Sequence, residues 1–118
     1  MFINSDTQYF LNCILSGLNI HLFTNDISPD KNTTVFDYQE VKSIGYAPIY
    51  INYEDLVFKR DHIEIKKEFE LNRQTIVYGY YLTAGDNLLG GERFSDGPYK
   101  IYIAGSIKIN MKVFLNIK

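Results

Sequence analysis

The last stretch of the chain constrains the fold most strongly, because its apolar residues recur with a period of two. Apolar side chains stand at every second position: Ile107, Ile109, Met111, Val113, Leu115 and Ile117. A helix would scatter these side chains around its circumference, whereas a β-strand places all of them on one face. We therefore predict that segment 107–117 is a strand with one face on a core.

Several other segments show the period of a strand or the composition of a turn. Residues 18–23 alternate, and in 63–71 the apolar face is interrupted by Lys67, which is expected at a sheet edge or a bulge. Residues 74–83 are apolar on both faces, which predicts one central strand covered on both sides. The further predicted strands are 48–53, 56–59, 88–94 and 99–103. The predicted turns are 60–61, 84–87 and 96–98, residues 24–34 read as a loop, and the ambiguous segment 35–41 fits a short helical turn.

One helix is predicted, over residues 5–16. Ser5 and Gln8 have the spacing of a capping box, and Gly17 is placed to end the helix. Its apolar face comprises Tyr9, Phe10, Cys13 and Ile14. Because that face is apolar, the helix is expected to dock on the body of the protein, with Cys13 acting as a small buried hydrophobe.

Seven or eight strands at this spacing predict a mainly β fold of antiparallel sheets. The expected arrangement is a β-sandwich or jelly roll with one N-terminal helix. A chain of 118 residues suits a single domain, so we expect one domain over 1–118, with the helix at 5–16 and a β body at 18–118. Alternation alone leaves a closed barrel open as an alternative.

Composition and charge argue against several classes of partner. The formal net charge of −2 lacks the basic excess that phosphate neutralisation requires, so no nucleic-acid partner is expected. Cys13 is the single cysteine, which excludes an internal disulfide and a cysteine-based zinc cluster. No run approaches 18 apolar residues, and no basic segment precedes an apolar stretch at the start of the sequence, so neither a membrane partner nor a secretory signal is expected.

Residues capable of catalysis occur without a recognisable motif. His21 and His62 are far apart in sequence and are expected to be surface or hydrogen-bonded histidines. No nucleophile has a glycine-flanked elbow, and the glutamates of 64–70 lie on the polar face of a strand. Asn25, Asp26 and Asp30 could offer oxygen atoms to calcium but lack the spacing of an EF-hand. The sequence therefore predicts no enzyme, no catalytic or metal-binding residue and no cofactor.

Ten tyrosines without a tryptophan indicate an interaction surface instead. Tyrosine combines a large apolar ring with a polar hydroxyl, and it is enriched at protein interfaces. Most tyrosines are expected to line the core with their hydroxyls at its rim, while some form an interface or a sugar-stacking face. The candidate interaction residues are Asn25, Asp26, Tyr46, Tyr50, Tyr53 and Tyr80.

The order of several short motifs resembles a family of small proteins encoded by tailed bacteriophages. The motifs are Leu22-Phe23-Thr24-Asn25-Asp26 with Pro29, Gly45-Tyr46-Ala47, Tyr78-Gly79-Tyr80-Tyr81-Leu82-Thr83, Glu92-Arg93-Phe94, Gly97-Pro98-Tyr99, and the strand from Gly105-Ser106-Ile107 to Phe114-Leu115. Where the family tends to have an aromatic residue before the Glu-Arg-Phe triplet, this chain has Gly90 and Gly91. That difference puts the local packing, or a contact surface there, in question.

The resemblance implies a structural protein of the virion, assembled in the host cytoplasm. A capsid decoration or auxiliary protein and a head-fibre component fit it best, with a tail component or a receptor- or glycan-binding module as the alternative. The implied partners are other virion proteins, such as the major capsid, tail or fibre proteins, and further copies of the chain in a homo-oligomer.

Overall fold

Nine β-strands form three antiparallel sheets in the part of the chain that the structure, a computed structural model, describes, which is residues 12–13 and 17–114. The strands are β1 Leu18–Phe23, β2 Ile49–Ile51, β3 Val57–Phe58, β4 His62–Leu71, β5 Thr75–Val77, β6 Gly79–Ala84, β7 Asn87–Arg93, β8 Tyr99–Ile101 and β9 Gly105–Phe114. Their orders are β2-β1-β6-β7, β3-β4-β9 and β5-β8. The prediction of a mainly β protein with antiparallel sheets is confirmed.

The two longest strands confirm the period-two prediction. In the ladder between β4 and β9, Ile63 lies opposite Val113 and Phe69 opposite Ile107, so one face of both strands is apolar. That face meets β1 and β6 of the four-stranded sheet in one core, which is completed by smaller contributions from other elements. Burial of these β-branched and aromatic pairs is the main favourable term in folding.

Lys67 lies in a regular part of the β4–β9 ladder, opposite Ile109. Of the two predicted alternatives the bulge is therefore wrong. The sheet edge is confirmed, because among the described residues β3 pairs with β4 only at Ile63 and Glu64 and leaves that side of β4 unpaired at Lys67. The lysine is accommodated because its Nζ lies 2.9 Å from Oδ1 of Asp55, which precedes β3. An ion pair at the rim of the core lets the aliphatic stem remain in the apolar face while the ammonium group is neutralised.

The segment predicted as a single strand over 74–83 divides at Tyr78 into β5 and β6, which belong to different sheets. The prediction of one continuous strand is wrong because β5 pairs with β8, whereas β6 pairs with β1 and β7. The Tyr78 amide donates to the carbonyl of Phe23, and its carbonyl accepts from the amide of Phe94, both at 2.9 Å. The prediction of a strand covered on both faces is confirmed for β6, since all its residues are buried.

The non-strand predictions have mixed outcomes. The segment 35–41 contains a 3₁₀-helix at Val35–Asp37, as its composition suggested. The β6–β7 hairpin turns at Gly85, whose φ of +59° suits glycine. Of the helix predicted over 5–16, residues 12–13 are helical and Cys13 is buried, while its other residues lie outside the described part, as do residues 115–117 of the last predicted strand.

Candidate interaction surface

The segment that joins the two larger sheets presents four exposed apolar side chains. It runs from β2 through a 3₁₀-helix at Tyr53–Asp55 to β3. The exposed residues are Tyr50 at 47%, Tyr53 at 58%, Val57 at 50% and Phe58 at 49%. We call these four residues the crossover patch. The rings of Tyr53 and Phe58 are in contact, with centroids 5.9 Å apart, so this aromatic pair links the 3₁₀-helix to β3.

The crossover patch is exposed because neighbouring residues anchor the segment from the inside. Ile51 and Leu56 are buried in the core on either side of the exposed Tyr53. The Asn52 amide donates to Oδ2 of Asp55 at 2.8 Å, and Asp55 also holds Lys67 of β4. Burial raises the pKa of Asp55, but the hydrogen bond and ion pair with Lys67 and the Asn52 amide outweigh it, so the pKa lies below its ordinary value.

Charges are distributed unevenly along this segment. Glu54 and Asp55 precede β3, and Lys59 and Arg60 follow it. At the turn into β4, His62 Nδ1 lies 2.7 Å from Oδ1 of Asp61. This hydrogen bond and a second one to Glu64 raise the pKa of His62. The sequence therefore runs from acidic to basic across β3.

A second group of aromatic side chains lies on the opposite face of the four-stranded sheet from the main core. Tyr81 stacks between His21 at 4.6 Å and Tyr38 at 4.2 Å, with interplanar angles of 11° and 12°. Phe23 packs against Tyr38 and Tyr81 in the same cluster. The segment between β1 and β2, which we call the covering segment, packs Ile27, Val35 and Tyr38 on this face. This explains why β6 is buried on both sides.

His21 links a hydroxyl and a carboxylate on this face. Its Nε2 lies 2.7 Å from Oγ1 of Thr83, and its Nδ1 lies 2.7 Å from Oε2 of Glu40. The connectivity is that of a hydroxyl–imidazole–carboxylate chain, but the Thr83 side chain lies mid-strand in a residue only 5% exposed. A nucleophile must reach the reacting carbon of a substrate. This geometry therefore suits a structural hydrogen-bond link between β1, β6 and Glu40 better than catalysis.

The predicted interaction residues fall into three different environments. Tyr50 and Tyr53 are exposed, and both belong to the crossover patch as defined above. Tyr80 is 4% exposed and donates to Glu92, and Tyr46 is partly buried and donates to Glu40, both at 2.6 Å. These two hydroxyls are therefore at the rim of the core, as expected for most tyrosines.

Asn25 and Asp26 lie in the segment that covers the four-stranded sheet. The Asn25 side chain donates to the carbonyl of Asp37 at 2.8 Å and accepts from the amide of Gln39 at 2.9 Å, which fixes the covering segment. Asp26 forms an ion pair with Arg93, whose guanidinium lies over the ring of Tyr78. The side chains of Asn25 and Asp26 therefore bind other residues of the protein, unlike the exposed rings of Tyr50 and Tyr53.

The position of Gly91 explains the missing bulk before the Glu-Arg-Phe triplet. A Cβ atom on Gly91 would lie 2.2 Å from the hydroxyl oxygen of Tyr38 and 2.8 Å from its Cζ. The Tyr38 ring, supplied by the covering segment, thus occupies the space that a side chain at 91 would need. Its buried hydroxyl has no hydrogen-bond partner among the described residues. Tyr38 and Gly91 border an open groove of about 660 Å³ between the loop at 29–33 and β7.

Val57 and Phe58 are interaction candidates that the sequence did not single out. They lie in the segment predicted as strand 56–59, but alternation cannot show that a two-residue edge strand leaves both side chains exposed. Among residues 12–13 and 17–114, no three metal-ligating side chains form a group. None of the helices in these residues has the length and hydropathy of a membrane-spanning helix. No protein-family model, no curated protein and no solved structure matches the chain.

Proposed function

We propose that this protein is a structural component of the virion of a tailed bacteriophage, acting as a capsid decoration or auxiliary protein or as a head-fibre component. In this proposal the two larger sheets form a jelly-roll-like β-sandwich, and residues 1–118 form one domain. The protein is assembled into particles in the host cytoplasm, where other virion proteins and further copies of the chain are its partners. The resemblance of the motif order supports the phage origin, and the crossover patch supports a role based on protein contacts.

The crossover patch carries the argument because exposed, adjacent aromatic side chains favour a protein partner. Interface centres are enriched in tyrosine and phenylalanine, and a few such residues supply most of the binding energy. Here Tyr53 and Phe58 are in contact with each other and remain about half exposed. The buried anchors Ile51 and Leu56 hold the backbone of the segment in place, which reduces the entropy lost when a partner binds.

Quantitative mass spectrometry of purified phage particles tests this proposal. The particles are purified from the strain whose genome encodes the chain, and the copy number is measured relative to the major capsid protein. Tens to hundreds of copies support a decoration or auxiliary role, and a handful supports a head fibre or tail. Absence of the chain from intact particles would refute the virion role.

The exposure of Tyr50 and Tyr53 favours one alternative, a receptor- or glycan-binding module of the tail. Exposed tyrosine rings provide the flat apolar faces on which sugars stack. Binding of the purified protein to glycans from the host surface, measured by calorimetry, tests this alternative. The reading requires that Tyr50→Ala and Tyr53→Ala each weaken binding, whereas Tyr102→Ala, another exposed tyrosine, leaves it unchanged. Equal binding by all three variants would exclude these tyrosines as the binding face.

A further inference from the structure

We propose that His62 is a pH-sensitive link that holds the turn between β3 and β4 only while its imidazole ring carries two protons. The residues that form it are Asp61, His62 and Glu64, and we call these three residues the turn link. Raising the pH removes one of the two ring protons, and the turn is then held less tightly. The inference does not depend on the proposed function, because it concerns a conformational property of the fold itself.

The positions of the two ring nitrogens require a doubly protonated imidazole. Nδ1 of His62 lies 2.7 Å from Oδ1 of Asp61, and Nε2 lies 3.2 Å from Oε1 of Glu64. An ionised carboxylate only accepts hydrogen bonds, so each ring nitrogen must carry a proton to form both contacts. A neutral imidazole has one nitrogen without a proton, and the lone pair of that nitrogen would face a negative charge. Either neutral tautomer therefore loses one of the two hydrogen bonds.

His21, the other histidine of the chain, has a different set of partners. Its Nδ1 also lies 2.7 Å from a carboxylate oxygen, that of Glu40, but its Nε2 lies 2.7 Å from the hydroxyl oxygen of Thr83. A hydroxyl can donate or accept a hydrogen bond, so a neutral imidazole with its proton on Nδ1 satisfies both contacts. Of the two histidines, only His62 has an arrangement that requires the second proton.

The charged groups around the turn link favour the imidazolium ion and the ionised carboxylates. Hydrogen bonds to Asp61 and Glu64 raise the pKa of His62, and the partial burial of the ring lowers it by less. The same hydrogen bonds lower the pKa values of both carboxylates. Three nearby cations act on these carboxylates in the same direction, namely Lys59, Arg60 and Lys112. Each partner therefore stabilises the charged form of the other.

The turn link supports a strand that has few backbone contacts of its own. Among the described residues β3 pairs only with β4, over two residues. Next to this pairing, the amide of Lys59 donates a hydrogen bond of 2.9 Å to the carbonyl of His62. The His62 ring also packs against Phe114 of β9, with centroids 5.2 Å apart. The ring thus connects the turn to β4 and β9, and loss of one of its hydrogen bonds loosens the backbone contact at Lys59.

The link is complete within a window of pH. Because the pKa of His62 is raised, its contribution is present below the unfolded pKa and is lost as the pH rises through the folded pKa. Because the pKa values of Asp61 and Glu64 are lowered, their contribution is present above the unfolded values and is lost as the pH falls through the folded values. Ordinary pKa values of about 4 for carboxyl groups and about 6.5 for histidine place the complete link at about pH 5–6.

Nitrogen-15 NMR of the histidine side chains tests the charge state, using the purified full chain without a histidine tag at low salt. The signal that is missing from His62→Gln identifies His62. We expect both of its ring nitrogens to be protonated at about pH 6. Asp61→Asn and Glu64→Gln should each shift the midpoint of its titration to lower pH. The matched control is Asp86→Asn in the β6–β7 turn, which should leave the midpoint unchanged because the charge of Asp86 is not among those acting on His62.

Hydrogen exchange at the Lys59 amide tests the conformational consequence. Rates are expressed as protection factors, relative to an unstructured peptide at the same pH, which removes the intrinsic pH dependence of exchange. Between pH 6 and one unit above the measured midpoint of His62, protection of this amide should fall about twofold or more in the wild type. It should stay constant in His62→Gln, whose folding is verified by circular dichroism. The reference is the Tyr78 amide, which bonds to the carbonyl of Phe23 in another sheet and should not change.

Three results would overturn the proposal, and the first needs no variant. One is a wild-type His62 with a single ring proton at about pH 6. Another is a titration midpoint that neither Asp61→Asn nor Glu64→Gln moves. The third is protection of the Lys59 amide that falls with pH equally in wild type and His62→Gln.

Discussion

The contact between Gly91 and Tyr38 predicts that Gly91→Ala destabilises the protein. The new Cβ would lie 2.2 Å from the Tyr38 hydroxyl oxygen and 3.0 Å from the Cβ of Tyr81. The Tyr38 ring cannot retreat easily, because it stacks on Tyr81 at 4.2 Å and packs against Phe23 at 5.1 Å. Overpacking of this kind costs about 1–3 kcal/mol, whereas replacing a strand glycine by alanine gains only about 0.5–1 kcal/mol of backbone entropy. We therefore expect a net loss of about 1–2 kcal/mol in the free energy of unfolding.

Tyr38→Phe provides the partner of a double-mutant cycle. Its buried hydroxyl lacks a partner among the described residues, so its removal is expected to leave the protein equally stable or up to about 1 kcal/mol more stable. It also removes the atom nearest to the new methyl group, so Gly91→Ala should cost at least about 1 kcal/mol less in the Tyr38→Phe background.

Urea denaturation followed by far-UV circular dichroism measures both effects, with an unchanged m-value and a lower midpoint for Gly91→Ala. Gly105→Ala is the control, since its Cβ would meet the flexible end of Ile101 at 3.1 Å, and it should be nearly neutral. The reasoning would be refuted if Gly91→Ala were neutral, or if its cost were the same with Phe at position 38.

Three further predictions concern ionisable and hydrogen-bonded groups. Because the pKa of Asp55 is lowered in the fold, its ion pair with Lys67 contributes stability at pH values above the unfolded pKa, and this contribution is lost as the pH falls through the folded pKa. Wild type should therefore be more stable than Asp55→Asn by about 1 kcal/mol at about pH 6. In acid denaturation curves this difference in stability should vanish. Burial, followed by nearby negative charge, raises the pKa values of Tyr38 and Tyr81 to about 12. Their stabilising effect is therefore present below the unfolded pKa and is lost as the pH rises through the folded pKa. Spectrophotometric titration should show delayed ionisation of these two phenols, and ordinary ionisation would contradict the packing. His21→Phe keeps an aromatic ring against Tyr81 but removes both hydrogen bonds. We expect urea denaturation to show a loss of about 1–3 kcal/mol in the free energy of unfolding. An unchanged free energy of unfolding would contradict a structural role for these hydrogen bonds.

Periodicity was sufficient for strands that have one covered face. The alternation of 107–117 predicted the core-facing residues of β9, and the pattern of 63–71 predicted those of β4, because the two strands pair over their whole length. The apolar character on both faces of β6 also identified its burial, since covering residues pack on one side and the main core on the other. In these elements the local pattern and the tertiary environment agree.

Other features depend on partners that are distant in sequence. The division at Tyr78 arises because its backbone groups bond to Phe23 and Phe94, and nothing in the apolar run 74–83 marks it. The regular ladder at Lys67 depends on Asp55, which lies before another strand. The single-domain organisation, the sandwich topology and the resemblance to phage proteins stay predictions.

The candidate interaction residues could be predicted in type but not in place. Tyrosine content indicated an interface, yet the sequence could not separate Tyr50 and Tyr53, which are exposed, from Tyr46 and Tyr80. Tyr46 and Tyr80 are held at the core because their hydroxyls donate hydrogen bonds to Glu40 and Glu92. Val57 and Phe58 were missed because their exposure depends on how far the sheet extends beyond β3.

Incorporation of crossover-patch variants into phage particles tests the central claim, a virion role through this surface, most directly. Particles are produced from a genome in which the gene carries Phe58→Lys, Ile103→Lys or no change, and the copies of the chain per capsid protein are measured by mass spectrometry. Ile103→Lys is the matched control, because Ile103 is 82% exposed and lies outside the patch. The account predicts that wild type and Ile103→Lys are incorporated equally and that Phe58→Lys is depleted at least about tenfold, as expected when a central apolar contact is lost. Equal incorporation of both variants, or absence of the wild-type chain from particles, would contradict it.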